Sequence, residues 1–89
     1  MAPVQRIRPD EKIHIGKNIR KIRLNRKINQ SEMAGLLQLQ GIPVSRETYV
    51  KIEREIRGIR ASELKAIREI LETTYEELLD ETEELNTEQ

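Results

Sequence analysis

The sequence predicts an all-α protein of five helices packed around one small core. No stretch alternates apolar and polar residues between hairpin turns, and residues that favour helices, chiefly Ala, Leu, Ile, Glu, Lys and Arg, dominate. Two helix-capping spacings, Asn29 with Glu32 and Thr74 with Glu77, mark the starts of separate helices. The 89 residues allow one modest core and are too few for a two-domain enzyme with an interdomain cleft.

The first helix is predicted from near Asp10 to about Arg26. Ile15, Ile19 and Ile22 are spaced i, i+4, i+7, which places them on one helical face and predicts a core stripe. The second helix is predicted to begin at Gln30, directly after the capping residue, and should bury Met33 and Leu37 on its inner side.

The segment LLQLQGIPV connects the second helix to the third. Gly41 and Pro43 both disfavour a continuous helix here. Because the connector is apolar, we expect it to pack as part of the core, through Leu37, Leu39, Ile42 or Val44.

Ser45 is a good N-cap, so the third helix should run from Arg46 to about Arg54. Tyr49, Ile52 and Ile56 lie at i, i+3, i+7 and should form its buried face. Its opposite face is then polar and mostly basic, with these exposed residues: Arg46, Glu47, Val50, Lys51 and Arg54.

Two further helices follow Gly58. The spacing of Leu64, Ile67 and Leu71 predicts the fourth. The fifth should open after Thr74, contain Leu78 and Leu79, and continue through Thr82 and Leu85 for a distance that the pattern does not define.

Composition limits the chemistry available to the chain. It has no Phe, Trp or Cys and only two Tyr, so the core must be aliphatic. The lack of cysteine rules out disulfides and thiolate metal ligands and favours a reducing, cytoplasmic location. The start, MAPVQRIRPDEK, lacks a secretory apolar run, and no segment approaches the roughly 18 apolar residues of a membrane span. We expect a soluble protein without cofactor or membrane contact.

Charge is divided sharply along the chain. Residues 1–60 hold 14 Lys and Arg against 6 Asp and Glu, a net charge of +8, while residues 61–89 hold 2 against 10, a net charge of −8. The basic part suits a polyanionic partner, which the acidic end DETEELNTEQ would avoid. Charged helices are more often simply solvated faces, so this interpretation needs support from a motif.

Five motifs in order provide that support. They are IGKNIRKIR, NQSEMA, VSRETYVKIE, ELKAIREIL and TYEELL, spread over about residues 15–80. Together they resemble the XRE family of helix-turn-helix domains, of the phage lambda repressor and Cro type. The connector is about five residues longer than in the shortest members, which resembles a subgroup with a lengthened loop.

The resemblance implies a compact, five-helix, lambda-repressor-like domain that lays helix three, about Ser45–Arg54, in the major groove of DNA. By position, the residues that would contact bases are Arg46, Glu47, Thr48 and Lys51. The residues that would contact phosphates are Gln30, Ser45, Arg54 and Arg57.

The chemistry of these side chains suits the implied contacts. Arg46 can donate two hydrogen bonds to guanine O6 and N7, Glu47 can accept one from cytosine N4, and the Thr48 methyl can touch a thymine methyl. Gln30 can add its amide to the N-terminus of helix two, which already favours an anion.

The resemblance also implies a structural ion pair between Arg23 and Glu53, bracing helix one against helix three. For most Arg and Glu residues a solvated charge would be the better interpretation. Here both lie beside apolar core positions, which favours partial burial.

Two residues depart from the family pattern. Glu55 stands where a helix-ending Gly is usual, and because a left-handed cap disfavours Glu, helix three is expected to run on towards Gly58. Arg68 replaces a small residue in helix four, which suggests looser packing or a side chain that extends to solvent.

The expected organisation is a flexible basic arm over residues 1–9, a DNA-binding domain over residues 10–80, and an acidic segment over residues 81–89 that is either a tail or an extension of helix five. Arg6 and Arg8 could bring the arm to DNA, although disorder is the more common property of such an end.

Sequence-specific binding of double-stranded DNA by a small transcriptional regulator, in particular a repressor, is the function these observations favour. The alternatives are a DNA-binding antitoxin of a toxin-antitoxin pair and a protein-interaction adaptor that has lost DNA contact. Catalysis is not expected, because His14 is the single histidine and the acidic cluster near residues 76–81 lacks the spacing of a calcium loop.

A homodimer on a two-fold operator is expected, since one small helix-turn-helix unit covers about half of such a site. Leu78, Thr82 and Leu85 recur at i, i+4, i+7 and are one candidate surface. Tyr75 and Leu78 could instead close the core of the monomer. The acidic C-terminal region could also bind a protein partner.

Overall fold

The computed structural model describes residues 6–7, 9–10 and 12–81. Over these residues the fold is all-α, as predicted, with five helices and one isolated β-bridge. The helices are α1 (Ile15–Asn25), α2 (Gln30–Leu39), α3 (Arg46–Glu53), α4 (Ala61–Leu71) and α5 (Tyr75–Leu78).

The core is aliphatic apart from one tyrosine. Its largest fully buried side chains are Tyr49, Ile19, Met33, Leu37, Ile59, Ile67, Leu71 and Leu78. The predicted stripe of α1 is confirmed, although Ile22 is only half-buried at its edge. Helix α3 packs against both α1 and α2, and α2 also packs on α4. The third helix is therefore held on its inner side by two others.

Helix α1 begins five residues later than the sequence predicted. Asp10 Oδ1 accepts hydrogen bonds from the backbone N–H groups of Lys12 (2.9 Å) and Ile13 (2.8 Å), and these bonds hold the pKa of Asp10 below its ordinary value. Such a local turn competes with helix formation, so the helix starts only at Ile15.

Ile7 is paired with the body of the domain. Ile7 and Ile59 form an antiparallel bridge, in which Ile7 N donates to Ile59 O (2.8 Å) and Ile59 N donates to Ile7 O (3.1 Å). This bridge positions Ile7, while the flexibility expected for the arm stays a prediction. Arg6 is half-buried, and Arg8 lies outside the described residues.

The predicted capping box of α2 is confirmed. Asn29 Oδ1 accepts from Glu32 N and Asn29 N donates to Glu32 Oε1, both at 2.8 Å. At α5 only half of the box forms: Thr74 Oγ1 accepts from Glu77 N at 3.0 Å, while the Glu77 carboxylate accepts from the hydroxyl of Thr73.

Helix α3 does not run on towards Gly58, as the sequence had suggested. It ends at Glu53, and Glu55 adopts the left-handed conformation (φ 63°) that was expected to be unfavourable. Glu55 N donates to Ile52 O and Ile56 N donates to Lys51 O, which is a Schellman cap. The chain therefore turns away, and Ile56, predicted to be buried, is 60% exposed.

The side chain of Glu55 explains how a glutamate occupies this position. Its Oε1 lies 2.9 Å from His14 Nδ1, and its Oε2 accepts a hydrogen bond from Lys17 N at 3.3 Å. His14 precedes α1 without capping it through its own side chain. Glu55 thus accepts a hydrogen bond from a backbone N–H group in the first turn of α1. The bonds made by its side chain offset the strain of the left-handed backbone at Glu55.

Helix α5 ends at Leu78, so the expected continuation through Leu79 does not occur. The side-chain amide of Asn18 donates to the backbone oxygens of Leu78 and Asp80, both at 2.9 Å, and draws this segment across α1. Leu78 is fully buried, whereas Tyr75, expected in the core, is 42% exposed. Thr82, Leu85 and most of the acidic tail lie outside the described residues.

Arg68, the residue that replaces a small one, extends along the surface of α4. Its guanidinium lies 5.0 Å from the centre of the exposed ring of Tyr75. This stacking places the charge at the surface, as the sequence had suggested, and it gives Tyr75 a partner outside the core.

The connector packs only in part. Leu37 and Val44 are buried and Ile42 is half-buried, as expected, but Leu39 is 84% exposed. Helix α2 ends at Leu39 in a second Schellman cap, formed around Gly41 at a φ of 83°. Leu39 lies two residues after the buried Leu37, which places it on another face of the helix, and its side chain points away from the core.

Candidate nucleic-acid interface

Helix α3 has one face in the core and one face outside. Tyr49, Ile52 and Glu53 are buried against α1 and α2. The opposite face of the same helix exposes the side chains of Arg46, Glu47 and Lys51. Arg54, the C-cap residue, is exposed as well. The predicted base-contacting residues therefore share one accessible surface, apart from Thr48, which is half-buried.

The polar groups of this outward face are available to a partner. Among the residues that the structure describes, none forms a hydrogen bond or ion pair with the side chains of Arg46, Glu47, Lys51 or Arg54. The face can therefore exchange water for an external acceptor or donor without breaking an internal bond, which reduces the free-energy cost of binding.

Ser45 caps the exposed end of α3. Its Oγ accepts a hydrogen bond from Thr48 N and donates one to Thr48 Oγ1, both at 3.1 Å. The structure thus gives Ser45, which the resemblance assigned to a phosphate, a role inside the protein. Thr48 Oγ1 accepts from Ser45 and keeps its own proton, so it can donate to a base or phosphate.

A buried ion pair joins α3 to α1. Arg23 Nε lies 2.5 Å from Glu53 Oε2, Arg23 Nη2 lies 3.0 Å from Glu53 Oε1, and both side chains are almost inaccessible. Arg23 also donates from Nη1 to Ile28 O at 2.7 Å. The guanidinium of Arg23, which belongs to α1, is therefore bonded both to α3 and to the turn before α2. It fixes the positions of these three parts relative to one another.

Glu53 is ionised despite its burial. Desolvation raises its pKa, but the hydrogen bonds from Arg23, Tyr49 and Gln30 outweigh this and hold the pKa below the ordinary value. The same pairing raises the pKa of Arg23, chiefly through the hydrogen bond to Glu53. The Tyr49 hydroxyl donates to Glu53 Oε2, and burial raises the pKa of this tyrosine, so it remains a donor.

Gln30 connects the same network to α2. Its Nε2 donates to Glu53 Oε1 at 3.1 Å. One of its two amide protons is therefore used inside the protein, which fixes the side chain and leaves the second proton for an external acceptor. Sequence reasoning placed Gln30 at a phosphate and missed this bond, because its partner lies 23 residues away.

Arg57 was expected at a phosphate, and the structure places it elsewhere. Its Nη1 and Nη2 lie 3.0 and 2.9 Å from the two carboxylate oxygens of Glu63, and Nη1 also donates to Gly58 O. Glu63 further accepts from Arg60 N. Because both terminal nitrogens are engaged, Arg57 fastens the start of α4 to the loop after α3, and we assign it no phosphate.

A glycine sets the closest approach of α1 to α3. A Cβ atom on Gly16 would lie 2.4 Å from Glu53 O and 2.6 Å from Ile52 O, which is closer than atoms can pack. Only glycine therefore allows the first turn of α1 to touch the end of α3. Apart from the glycine itself, no sequence pattern predicts this contact.

Two kinds of feature are absent from the described ranges. No helix there is both long and apolar enough to cross a bilayer. Nor do three or more His, Cys, Asp or Glu side chains within those ranges come together in a group that could hold a metal ion.

Comparison with known protein families gives a match. A family model described as HTH_3, helix-turn-helix, matches residues 19–78, which extend from the middle of α1 to the end of α5. Searches of curated proteins and of solved structures gave no significant match.

Proposed function

We propose that this chain, which belongs to the XRE-type helix-turn-helix family HTH_3, recognises a specific DNA sequence by inserting α3 into the major groove. The family model matches more than half of the chain, and members of the family are DNA-binding regulators. We propose that the regulator acts as a repressor, by covering its operator.

The observation that supports this most directly is the outward face of α3. It is a rod of eight residues with three charged side chains and a cationic C-cap, all exposed and without internal partners in the described part of the chain. A face used to bind another protein would be expected to hold more apolar side chains. Cations and hydrogen-bonding groups are instead what base edges and phosphates require.

Roles can be proposed for the individual side chains. Arg46 would donate to guanine O6 and N7, Glu47 would accept from cytosine N4, and Lys51 would contact a base one turn further along the groove. Thr48, at the same end, would contribute its hydroxyl proton or its methyl group. Arg54 would contact the backbone.

Phosphate contact would also involve the start of α2. Its free N–H groups favour an anion, and the remaining amide proton of Gln30 could reach the same oxygen. Because Gln30 is bonded to Glu53 of α3, the phosphate contact and the groove contact would be held in one register.

We propose that two copies bind a two-fold operator. One α3 reads only about half of a typical operator, and half-sites one helical turn apart require a symmetric pair. Leu78 is buried in the monomer, so it is not available as part of the pairing surface.

Selection of bound duplexes from a randomised pool tests the proposal. The parent protein should yield a consensus with two-fold symmetry. Arg46→Ala and Lys51→Ala should each relax the preference at one position of each half-site, at a cost of about 1 to 3 kcal/mol. Both side chains are exposed, so thermal melting should show that both variants are folded.

An adaptor that no longer binds DNA would give a different result. No consensus would emerge from the pool even at low salt, and Arg46→Ala would behave as the parent does. That outcome would reject DNA recognition through α3.

A further inference from the structure

The connector between α2 and α3 lacks charge. The thirteen residues from Met33 to Ser45 include no Asp, Glu, Lys, Arg or His, in a chain of which 36% is charged. The run is bounded by Glu32 on one side and Arg46 on the other. Although part of it is buried, Leu39, Gly41 and Pro43 are exposed. We call the surface formed by these three residues and the half-buried Ile42 the connector edge.

The connector edge has a fixed conformation. Gly41 N donates to Gln38 O and Ile42 N donates to Leu37 O, both at 2.9 Å, so the end of α2 is closed. Val44 is buried, its N–H donates to Ile42 O at 2.9 Å, and its carbonyl accepts from Gln38 Nε2 at 2.8 Å. These bonds hold the edge in place before any partner arrives.

The same bonds remove the groups that a phosphate would need. The N–H groups of Gly41, Ile42 and Val44 are used internally, and Pro43 has none. Without a cation or a free backbone donor, the four residues of the edge cannot bind a sugar-phosphate backbone. The side chains of Leu39, Ile42 and Pro43 suit an apolar partner.

The edge is continuous with the end of α3 that is proposed to read bases. Ser45 is the N-cap of α3, and it also lines an open depression of about 450 Å³ together with Gln38, Gly41, Ile42, Pro43 and Val44. Pro43 precedes this cap by two residues, and Arg46 follows it directly. When α3 enters a groove by this end, the edge reaches the neighbouring base pairs.

We propose that the connector edge is a second DNA-reading element, which contacts the 5-methyl groups of thymines in the major groove beside the bases read by α3. The thymine methyl is the one apolar group on the major-groove edge of a base pair, and it suits side chains without polar atoms. The inference rests on the proposed insertion of α3. It explains why the connector is longer than a tight turn and why Leu39 and Pro43 are exposed on it.

A second copy of the chain is a poorer occupant of this edge. Specific protein interfaces bury about 800 Å² on each partner and use roughly 20 to 30 residues a side. The connector edge has four residues, and the exposed polar residues Gln38 and Gln40 lie beside them in the chain. It is large enough for one or two methyl groups but not for a stable protein contact.

The test removes single methyl groups from DNA. In the duplex selected by the parent protein, each thymine is replaced in turn by deoxyuridine, which pairs identically and lacks the 5-methyl group. At least one thymine beside the positions that respond to Arg46→Ala should then bind about fourfold more weakly, the factor for burial of one methyl group.

The protein variants identify the partner of that methyl. In a Leu39→Gln, Pro43→Ser double variant, the same replacement should have no effect on affinity. The second variant is Leu39→Gln alone. Because the Leu39 side chain is 84% exposed, this variant should melt at the same temperature as the parent protein. Leu24→Gln removes an exposed leucine from α1 instead and should keep the methyl response of the parent.

The outcomes separate the inference from the proposed function. If Arg46→Ala changes the consensus but no flanking methyl matters, or if the methyl response is the same in the connector variants, the inference fails and the proposed function stands. If the connector variants bind DNA normally but lose self-association in sedimentation, the edge contacts a second copy and the inference also fails. A selection without consensus rejects both.

Discussion

Glu53 is the residue on which the position of α3 depends. Its carboxylate accepts hydrogen bonds from Arg23 of α1, Gln30 of α2 and Tyr49 of α3 itself. A buried carboxylate is costly unless its oxygens are satisfied, and here each oxygen has two donors. These hydrogen bonds offset the cost of burying the carboxylate, and they fix the position of α3 relative to α1 and α2.

Glu53→Gln should reduce the free energy of unfolding by about 3 to 5 kcal/mol, because it leaves the Arg23 guanidinium buried without its counter-ion. Urea denaturation of both proteins measures the difference. Glu69→Gln is the matched control, since it breaks an exposed ion pair with Lys65 and should leave stability close to that of the parent. A Glu53→Gln variant that unfolds with the parent would show that the pair does not brace the fold.

Acid should destabilise the protein through the same group. The folded-state pKa of Glu53 is lower than the ordinary 4.5, so the ionised form stabilises the fold above that value, and this contribution is lost as the pH falls through the folded pKa. The pKa of Glu63 is lowered in the same direction, since its bonds from Arg57 and Arg60 outweigh the effect of burial. The free energy of unfolding should therefore decrease steadily below pH 4.5.

Chemical denaturation at a series of pH values measures this decrease. In Glu53→Gln one of the two buried carboxylates is gone, so the dependence on pH should be shallower than in the parent, with the part due to Glu63 remaining. Identical slopes in the two proteins would show that Glu53 does not titrate with folding.

At the scale of the elements, the packing of α1 on α3 depends on a glycine that cannot be replaced. Gly16→Ala would place a methyl group against two backbone oxygens at the end of α3, which cannot move aside as a side chain could. Forcing extra volume into such a contact costs about 1 to 3 kcal/mol. The variant should also bind DNA more weakly at temperatures where it is folded, since α3 must tilt to admit the methyl.

Gly35 provides the control for this prediction. It lies within α2, and no atom lies within 4 Å of the Cβ that Gly35→Ala would add. Alanine has the better helix propensity, so this variant should gain about 0.5 to 1 kcal/mol. Thermal and urea unfolding of the two variants decide the matter, and equal stability changes of the same sign would contradict the packing argument.

The helices themselves were largely predictable from apolar spacing and capping residues, but their ends were not. The box at Asn29 is a local pattern, and the structure contains it. The turn at Asp10, by contrast, competes with the helix through one side-chain oxygen. The end of α3 depends on Glu55, which pairs with His14 from 41 residues earlier. Contacts at that separation leave no periodic trace in a sequence.

The proposed site was also predictable only in part. The outward face of α3 follows from helical phase, so the exposure of Arg46 and Lys51 could be deduced. Whether a cation is free could not be deduced, because that depends on partners brought together by the fold. Arg57 is the example: its charge suggested a phosphate, but a carboxylate at the start of α4 lies against it.

At the scale of the whole molecule, the number of cations available to DNA depends on how many are already paired inside the protein. The first 60 residues contain 14 Lys and Arg. Several of these cations are engaged inside the protein. Arg23 and Arg57 pair with carboxylates, and Arg26 donates to the backbone oxygens of Leu71 and Glu72 at the end of α4. The number of phosphates that the protein can neutralise is therefore smaller than its basic residues suggest.

The salt dependence of DNA binding measures that number. If about six phosphates are neutralised, a plot of log affinity against log salt concentration should have a slope of about −5. Arg54→Ala removes an exposed cation beside the groove, so the slope should become shallower by about 1. Arg57→Ala removes a cation of the same kind whose charge is already paired, so it should leave the slope unchanged and lower the stability instead. A slope that responds equally to both substitutions would mean that Arg57 leaves Glu63 to contact DNA, and a flat plot for the parent would remove the electrostatic basis of the proposed function altogether.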